Sequence, residues 1–262
     1  RRRTMAIQKH MLPILEYDEA PGAILMPNRE EGYRFPEKAV FAFLGDEIEQ
    51  FAVRNQCEII GTFVTITKTY PVYQTDYHGE TVCFCQAPLG SAAAVQFLDF
   101  LISCGVRKVI SAGSCGALEP LEENAFLIPV EALRDEGASY HYLPPSRTIR
   151  LDEEGVRAIR QVFVSRGIPF EECKTWTTDG FFRETREMVQ YRREEGCKVV
   201  EMECSALAAC ARFRKILFGQ ILFTADTLAD AENYDARDWG SSALAAALEL
   251  CFAAVCEMKN DP

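Results

Sequence analysis

The 262-residue sequence lacks the patterns that mark several classes of protein. It has only three histidines, and its eleven cysteines include no C-x2-C pair, so we expect no metal site. No apolar run approaches the about 20 residues that a bilayer-crossing helix needs, and the N-terminal residues lack the apolar stretch of a signal peptide. Repeats, low-complexity tracts and Gly/Ser-rich linkers are also missing. These absences favour one globular domain, residues 1–262, that does not span a membrane.

Positive charge is scarce as well. The chain has 28 lysines and arginines against 39 acidic residues, a formal net charge of −11. An acidic surface repels nucleic acid and anionic lipid, so neither is an expected partner. A small anion such as phosphate is compatible with this charge, because a pocket can carry local positive potential. The odd number of cysteines, spread through apolar segments, indicates free buried thiols in a reducing compartment and therefore a cytoplasmic protein.

The sequence does contain a repeated switch between strand-like and helix-like patterns. Residues 58–66 are rich in β-branched residues and predict a strand. A helical pattern runs from Ser91, its predicted cap, to Cys104, and residues 215–224 and 241–258 predict a buried strand and a closing helix. Such alternation over the whole length predicts an α/β fold with helices on both faces of a sheet. Ligands of such sheets bind beyond the carboxyl ends of strands, so the loops after strands are the candidate sites.

One such loop follows the strand predicted at residues 108–111. It contains Gly113 and Ser114, and there glycine lets backbone amides approach an anion while the serine hydroxyl adds a donor. An ordinary tight turn has the same composition. The loop matches neither the dinucleotide-binding pattern, which needs a third glycine, nor a P-loop, which needs Gly-Lys-Ser/Thr.

Four further residues lie at or after the ends of predicted strands. Glu201 and Glu203 lie between an apolar strand and an apolar helix, where they either favour the helix dipole or accept hydrogen bonds from a sugar diol. Asp226 ends a predicted buried strand, either as a capping residue or as a general acid that partial burial keeps protonated. Phe181 is either a core residue or a stacking surface for a planar base.

In this order, these segments resemble the nucleoside phosphorylase family, which includes hexameric purine nucleoside phosphorylase and uridine phosphorylase. Residues 104–117 are close to the pattern G-V-K-K-I-I-R-V-G-S-C-G-A, residues 200–206 to the ribose motif V-E-M-E-A-A, and residues 224–227 to an S-D motif. Residues 134–142 resemble a uridine phosphorylase segment. The resemblance covers nearly the whole chain. It implies a three-layer α/β/α domain with a mixed central sheet that cleaves the N-glycosidic bond of a nucleoside.

The resemblance also implies roles for the residues at matching positions. The sugar-binding residues are Glu201, Met202, Glu203 and, from a neighbouring subunit, His10. The phosphate-binding residues are Gly113, Ser114 and, across the same interface, Lys68. The base-binding residues are Cys115, Gly116, Phe181 and Asp226. Asp226 is the catalytic residue and serves a purine N7.

Partners and cofactors follow from the same resemblance. The small-molecule partners are a nucleoside and inorganic phosphate, which acts as co-substrate, and no cofactor is expected. Because His10 and Lys68 act across an interface, the resemblance implies a homo-oligomer, a dimer or a hexamer, with shared active sites.

Three positions depart from the family's pattern. The phosphate loop M-P-G-D-P-x-R reads Met26-Pro27-Asn28-Arg29 here, so its glycine is lost and its arginine is displaced. Ser111 replaces the arginine before G-S-C-G, and the uracil-reading Q-x-R after the aromatic pair is absent. The first two changes weaken phosphate as the nucleophile, and the third weakens uridine as the substrate.

The residues leave three hypotheses open. The first is phosphorolysis of a nucleoside, with a purine ribo- or deoxyribonucleoside favoured over uridine. The second is hydrolysis by a nucleosidase, which Asn28 and Ser111 favour. The third is a nucleoside-binding protein without catalysis, which the retention of Glu203 and Asp226 disfavours.

Overall fold

The computed structural model describes residues 7–28, 30–230, 235 and 237–259. The ten strands of this part are β1 Lys38–Ala42, β2 Glu58–Val64, β3 Thr69–Tyr77, β4 Glu80–Gln86, β5 Lys108–Ala117, β6 Phe126–Asp135, β7 Thr148–Arg150, β8 Phe170–Thr178, β9 Cys197–Glu201 and β10 Leu217–Thr227. Its six α-helices are α1 Glu47–Arg54, α2 Ser91–Ser103, α3 Glu153–Ser165, α4 Arg186–Glu194, α5 Cys204–Arg214 and α6 Leu244–Glu257.

The ten strands form one mixed sheet, part of which closes on itself. The strand order is β10-β6-β8-β9-β5-β1-β4-β3-β2, and β7 pairs with β6. β10 also pairs with β5 in parallel along nearly the whole length of β5, so β5, β10, β6, β8 and β9 close into a ring. The sheet is therefore a five-stranded barrel that continues as an open sheet through β1, β4, β3 and β2.

The ring of strands has its own small apolar core. Each strand of the ring contributes one buried residue to a separate hydrophobic cluster, namely Cys115, Leu127, Cys173, Val199 and Leu222. Side chains that point inward fill the interior of a small barrel in this way. This cluster fixes the relative positions of β5, β9 and β10, which carry most of the predicted site residues.

Helices cover the sheet on both faces. α3 and α6 contact each other, α3 lies against β10, and α6 lies against β5 and β1. α2 and α5 contact each other, and α5 lies against β10 and β6. The three-layer α/β/α fold with a mixed sheet is confirmed. The closure of five strands into a ring was not predicted, because it depends on β10 pairing with β5 and β6 at once.

The closing helix is apolar because it packs into the core. The stretch Gly240–Glu257 has 18 residues and a mean hydropathy of 1.4, which satisfies the length and composition of a membrane span. It is 56% buried, and Leu248, Cys251 and Phe252 belong to the main core. A core helix meets the same test, so packing against β1 and β5 accounts for its composition.

The cysteines behave as the sequence predicts. All eleven are free thiols, nine of them buried and two partly buried. Burial raises the pKa of the Cys115 thiol well above its ordinary value, which keeps it protonated and makes it a small apolar packing residue.

Three local predictions were wrong. β5 continues to Ala117, because β10 pairs with it that far, so the G-S-C-G segment is strand and not loop. β10 runs to Thr227, beyond the predicted bound at residue 224, so Asp226 lies inside the end of the strand. Ser91 does not cap α2. Gly90 is the N-cap, and the Ser91 hydroxyl donates to the Met202 carbonyl at 2.6 Å.

Candidate functional site

The candidate site lies where β5 has no strand along one edge. β10 occupies the other edge of β5 as far as Ala117. On the open edge, β1 pairs with β5 only through Ile110, and β9 pairs only at Gly116 and Ala117. The backbone of residues 113–115 therefore borders a gap in the sheet.

A cavity of about 280 Å³ occupies this gap. Nine of the eleven predicted site residues line it. Four come from β5, namely Gly113, Ser114, Cys115 and Gly116. The other five are Phe181, Glu201, Met202, Glu203 and Asp226. Residues that are far apart in the sequence thus meet because β9 and β10 both flank β5.

Asp226 enters the cavity from an irregular point in β10. Between Thr224 and Thr227 the register with β5 shifts, so three steps along β10 match two steps along β5. Such a bulge re-aims a side chain and is common beside active sites. Asp226 is 6% exposed. A Cβ on Gly116 would lie 3.3 Å from Asp226 Oδ1, so this carboxyl depends on a glycine beneath it.

Glu201 organises the turn that follows β9. Its carboxylate accepts hydrogen bonds from the hydroxyls of Thr175 (3.1 Å) and Thr177 (2.6 Å) on β8. It also accepts the backbone N–H groups of Glu203 (2.7 Å) and Cys204 (2.6 Å). A carboxylate has about four acceptor positions, so Glu201 is satisfied within the protein. Its predicted contact with a sugar therefore lacks a free acceptor, and Glu201 instead fixes the turn that presents Glu203.

Glu203 is a buried acid with few internal donors. Its Oε1 accepts the backbone N–H of Gly90 at 2.6 Å, and the residue is 5% exposed. Gly90 has a φ of 93°, a left-handed conformation that favours glycine. Burial, followed by the charge of Glu201, raises the pKa of Glu203 to about 8. A ligand that offers hydroxyl donors would stabilise the ionised form of this carboxyl.

Glu184 is a cavity residue that the sequence did not single out. It lies between a 3₁₀ turn, Phe181–Arg183, and the start of α4, and it lines the cavity with Asp226. Burial, followed by the charge of Asp226, raises the pKa of Glu184 to about 7. Its only sequence signal is an acid shortly after two aromatic residues, which is too common a pattern to predict a site.

The acids of the cavity form two electrostatic groups. Besides burial, the charges of Glu201 and Asp179 raise the pKa of Glu203, whereas the charge of Asp226 raises the pKa of Glu184. Glu203 enters the cavity from the turn after β9 and Asp226 from the bulge of β10, and these two strands flank opposite edges of β5. The site suits a ligand that has polar groups at two separate ends.

His10 and Lys68 do not reach this cavity within one chain. His10 is exposed, and its Nδ1 accepts the backbone N–H of Leu12 at 3.0 Å. Lys68 is exposed after the turn between β2 and β3, with its Nζ 5.2 Å from the centre of the Tyr70 ring. Their predicted roles require a second subunit and stay predictions.

A family model described as the phosphorylase superfamily matches residues 38–255. The chain belongs to this superfamily. The resemblance to nucleoside phosphorylases that the motifs predicted is thereby confirmed.

Curated relatives from this superfamily match parts of the chain. The guanosine phosphorylase of Halorubrum lacusprofundi is 23% identical over 159 residues, which cover 60% of this chain and 66% of the relative. The uridine phosphorylase of Haemophilus influenzae is 25% identical over 121 residues, which cover 46% of this chain and 48% of the relative. The matches cover 66% of the guanosine phosphorylase and 48% of the uridine phosphorylase, so the chain spans about half to two thirds of the length of these relatives.

Solved structures extend the match of fold. The AMP nucleosidase of Bacteroides thetaiotaomicron has a TM-score of 0.69 at 22% identity, covering 84% of this chain and 88% of that one. The uridine phosphorylase of Vibrio fischeri has a TM-score of 0.75 at 18% identity, covering 90% of this chain and 100% of that one. At these identities the likeness shows the fold, which both a nucleosidase and a phosphorylase share.

Ser111 and Asn28, two positions that depart from the family's phosphate pattern, carry uncharged side chains. Ser111 pairs with Gln220 across β5 and β10, and Ser111 Oγ and Gln220 Oε1 are buried without a hydrogen-bond partner in the described part of the chain. Asn28 Nδ2 donates to two backbone carbonyls, each at 3.4 Å, and Arg29 lies outside the described residues. Of the described residues that line the cavity, none is lysine, arginine or histidine.

Proposed function

We propose that the chain cleaves the N-glycosidic bond of a purine nucleoside, with inorganic phosphate as the attacking group. The observation that carries this proposal is the placement of Glu203 and Asp226 in one cavity, one on the turn after β9 and the other on the bulge of β10, with Ser114 on its wall. A nucleoside has hydroxyl donors on its sugar and a basic ring nitrogen on its base, which suit these two acids. Membership of the phosphorylase superfamily supports the same reaction.

The sugar side of the reaction belongs to Glu203 and Met202. The Glu203 carboxylate accepts hydrogen bonds from the two ribose hydroxyls, and the Met202 side chain packs against the sugar. These contacts hold C1′ in line with the attacking oxygen, and such orientation supplies a large part of the rate in enzymes. Glu201 contributes by fixing the turn on which both residues lie.

The base side belongs to Asp226. As the C1′–N9 bond breaks, its electron pair moves onto the purine, and Asp226 donates a proton to N7. The transition state carries positive charge on the sugar and growing negative charge on the base, which a fixed donor stabilises. General acid catalysis of this kind is typically worth ~10²–10⁴-fold.

Phosphate binds between these two parts in the proposal. The Ser114 hydroxyl and the backbone of Gly113, at the open edge of β5, donate to the phosphate. A phosphate oxygen forms the new bond to C1′ and gives sugar 1-phosphate. Positive charge comes from Lys68 of a neighbouring subunit, so the proposal includes a homo-oligomer.

Hydrolysis is the second candidate, and one observation favours it. The described residues that line the cavity include four acids, namely Glu184, Glu201, Glu203 and Asp226. They include no cationic side chain. Without a neighbour's lysine, such a cavity repels an anion more than it repels water. Water then attacks C1′, and free sugar is the product.

A nucleoside panel with and without phosphate tests these proposals. Guanosine, inosine, adenosine, uridine and their 2′-deoxy forms are incubated with the purified protein, and both base and sugar products are measured. We expect base release that depends on phosphate and yields sugar 1-phosphate. Equal rates without phosphate, with free sugar as product, would replace phosphorolysis by hydrolysis. No turnover of any nucleoside would overturn both proposals, and Glu203→Ala is the control for contaminating activity.

A further inference from the structure

A pocket of about 480 Å³ lies at the opposite end of the sheet from the candidate site. It is bordered by Lys108 and Leu217, the first residues of β5 and β10, whose far ends carry Ser114 and Asp226 to the cavity. Strands rise about 3.3 Å per residue, so the length of β5 from Lys108 to Ser114 places the two sites roughly 20 Å apart. The pocket, called the basic pocket below, is therefore separate from the candidate site.

The charged residues that line the basic pocket are mainly cationic. The described lining includes two acids, Glu37 and Asp152, and five cations, namely Arg107, Lys108, Arg150, Arg212 and Lys215. The cations thus exceed the acids by three, although the chain as a whole has a net charge of −11. Cations gathered around one concave surface repel each other and create a local positive potential that attracts anions.

The positive charge of the basic pocket is not neutralised by ion pairs. Within the described part of the chain, every ion pair involves other cations than these five. Lys108 Nζ donates to the Met258 carbonyl at 3.0 Å, and Arg212 donates to the Arg150 carbonyl. The side chains of Arg150 and Lys215 make no hydrogen bond or ion pair with another described residue. Carbonyl groups are neutral, so all five charges remain available to a ligand.

The backbone beside the basic pocket does not cancel this charge. α5 ends there, and free carbonyls at the end of a helix repel anions. The Ile216 N–H donates to the Ala211 carbonyl at 3.0 Å, and the Lys215 N–H donates to the Arg212 carbonyl at 3.2 Å. Because these bonds occupy carbonyls of the last turn, the side chains dominate the potential of the pocket.

Lys215 occupies a position that favours glycine. Its φ is 58°, in the left-handed region, directly after the last residue of α5. Glycine is the usual residue at such a helix end, because a Cβ is unfavourable in this conformation. Residues in strained conformations are concentrated at functional sites. The lysine therefore brings a charge to the pocket at a position where glycine would suit the backbone better.

We propose that the basic pocket binds a diphosphate group, either free or on a small organic molecule, and is a second ligand site of the protein. Arginine binds phosphate oxygens through paired N–H donors, and lysine adds a point charge. A single phosphate group carries about 1.5–2 negative charges near neutral pH, which is less than the excess of three cations, and a second linked phosphate supplies the rest. The volume lies within the range of about 300–1,000 Å³ of small-molecule sites.

Calorimetric titration with pyrophosphate and with ADP tests the site. Both probes carry a diphosphate group, and tighter binding of ADP would show that the organic part also makes contacts. The double variant Arg150→Gln/Lys215→Gln should weaken the binding of both probes at least about tenfold, because charged hydrogen bonds are lost. Arg193→Gln removes an exposed cation that does not line the basic pocket, so this matched control should bind both probes like the wild type.

Ser114→Ala distinguishes the basic pocket from the candidate site, which is proposed to bind phosphate. We expect this variant to bind both probes with wild-type affinity. Binding that is weakened by Ser114→Ala and not by the double variant would place the probes in the candidate site and overturn the inference, as would no binding of either probe at millimolar concentration. The titration requires no nucleoside, so its result does not depend on glycosidic cleavage.

Lys215→Gly separates ligand binding from a structural role of the lysine. This variant removes the charge and suits the left-handed backbone, so its midpoint of thermal unfolding should stay near or above the wild-type value. Its affinity for pyrophosphate should nevertheless fall. A lower midpoint with an unchanged affinity would show that Lys215 serves only the end of α5, and the inference would then be wrong.

Discussion

At the scale of single residues, the cavity contains buried acids whose ionised forms are unfavourable for the stability of the folded protein. Glu203 is buried, lies beside Glu201 and accepts the backbone N–H of Gly90. Its neutral form is therefore favoured when the cavity is empty, whereas a sugar diol favours its ionised form. Replacing Glu203 should therefore change both the pH dependence of stability and the activity on nucleosides.

The stability of the protein should depend on pH through Glu203. Its pKa is raised to about 8 in the folded state, above the unfolded value, so the folded state binds more protons between about pH 4.5 and 8. The stabilising effect of that proton is complete at low pH and is lost as pH rises through about 8. Glu203→Gln keeps an acceptor for Gly90 and does not ionise. It should stabilise the protein little at pH 5 and by up to a few kcal/mol at pH 9.

Urea unfolding of both proteins at pH 5, 7 and 9 measures this difference. The same variant should lose most of its kcat/KM on nucleosides, because an amide is a poorer acceptor for two hydroxyls. A stability difference that does not change with pH would contradict the assignment.

Asp226 should act through its proton, not through its shape. Asp226→Asn keeps a donor but cannot transfer a proton, so kcat/KM for purine nucleosides should fall at least about tenfold, or about 1.4 kcal/mol in the barrier. 7-Methylguanosine already carries a positive charge on its base, so its cleavage should change little. If Asp226 only stabilises the strand end, both kinds of substrate will keep their wild-type rates.

At the scale of elements, the turn between β9 and α5 depends on β8. Thr177 Oγ1 donates to Glu201 at 2.6 Å and accepts the backbone N–H of Ser205 at 3.0 Å, so one hydroxyl joins β8 to the turn and to α5. Thr175 makes only the longer bond to Glu201, 3.1 Å. The two threonines are both fully buried, at 0% exposure, and therefore form a matched pair.

Removing the Thr177 hydroxyl should loosen the sugar site. Thr177→Val leaves the Ser205 N–H without a partner and removes one bond to Glu201, which should cost about 1–3 kcal/mol of stability. The nucleoside KM should rise, because the turn that carries Glu203 loses an anchor. Thr175→Val should have a smaller effect on both quantities. Urea unfolding and steady-state kinetics check this, and equal effects of the two variants would count against the role given to Thr177.

The packing of α3 on β10 depends on a close backbone approach. A Cβ on Gly155 would overlap the carbonyl oxygen of Phe218, and Gly219 faces the same point. Gly155→Ala should therefore force the helix away from the strand and destabilise the protein by about 1–3 kcal/mol. Gly22→Ala, where a Cβ meets nothing within 4 Å, is the control and should be nearly neutral. Thermal unfolding of both variants decides the point.

At the scale of the whole molecule, the proposed phosphorolysis takes its positive charge from a second subunit. The described cavity residues include no cationic side chain, and Lys68 lies outside the cavity of its own chain. The proposal therefore requires that Lys68 of one subunit serves the cavity of another. Closed symmetry then gives a dimer or a trimer of dimers.

Mixing two inactive variants tests this arrangement. Lys68→Ala and Glu203→Ala should each lose phosphorolysis when alone. Re-association of the two should restore about a quarter of the wild-type activity, because half of the dimers are mixed and one of their two sites is intact. No recovery, or an active monomer by light scattering, would refute the shared site.

The sequence alone determined the class of fold, most of the strands and helices, and nine of the residues that line the cavity. Periodicity and propensity are local properties, so β2, α2 and α6 could be recognised from neighbouring residues. The motifs around Ser114, Glu203 and Asp226 were recognised for the same reason, since each is a short contiguous segment.

Only the tertiary structure decided how these segments meet. The gap beside β5, the bulge that turns Asp226 inward and the closure of five strands depend on pairing between distant segments, which no local pattern encodes. The hydrogen-bond partners that a side chain finds also depend on distant segments of the chain. Glu201 and Glu203 are equivalent acids in the sequence. In the fold, Glu201 accepts the threonine hydroxyls of β8 and holds the turn, whereas Glu203 does not and is available to a ligand. Glu184 could be recognised as a cavity residue only in the folded structure, because folding brings it close to Asp226.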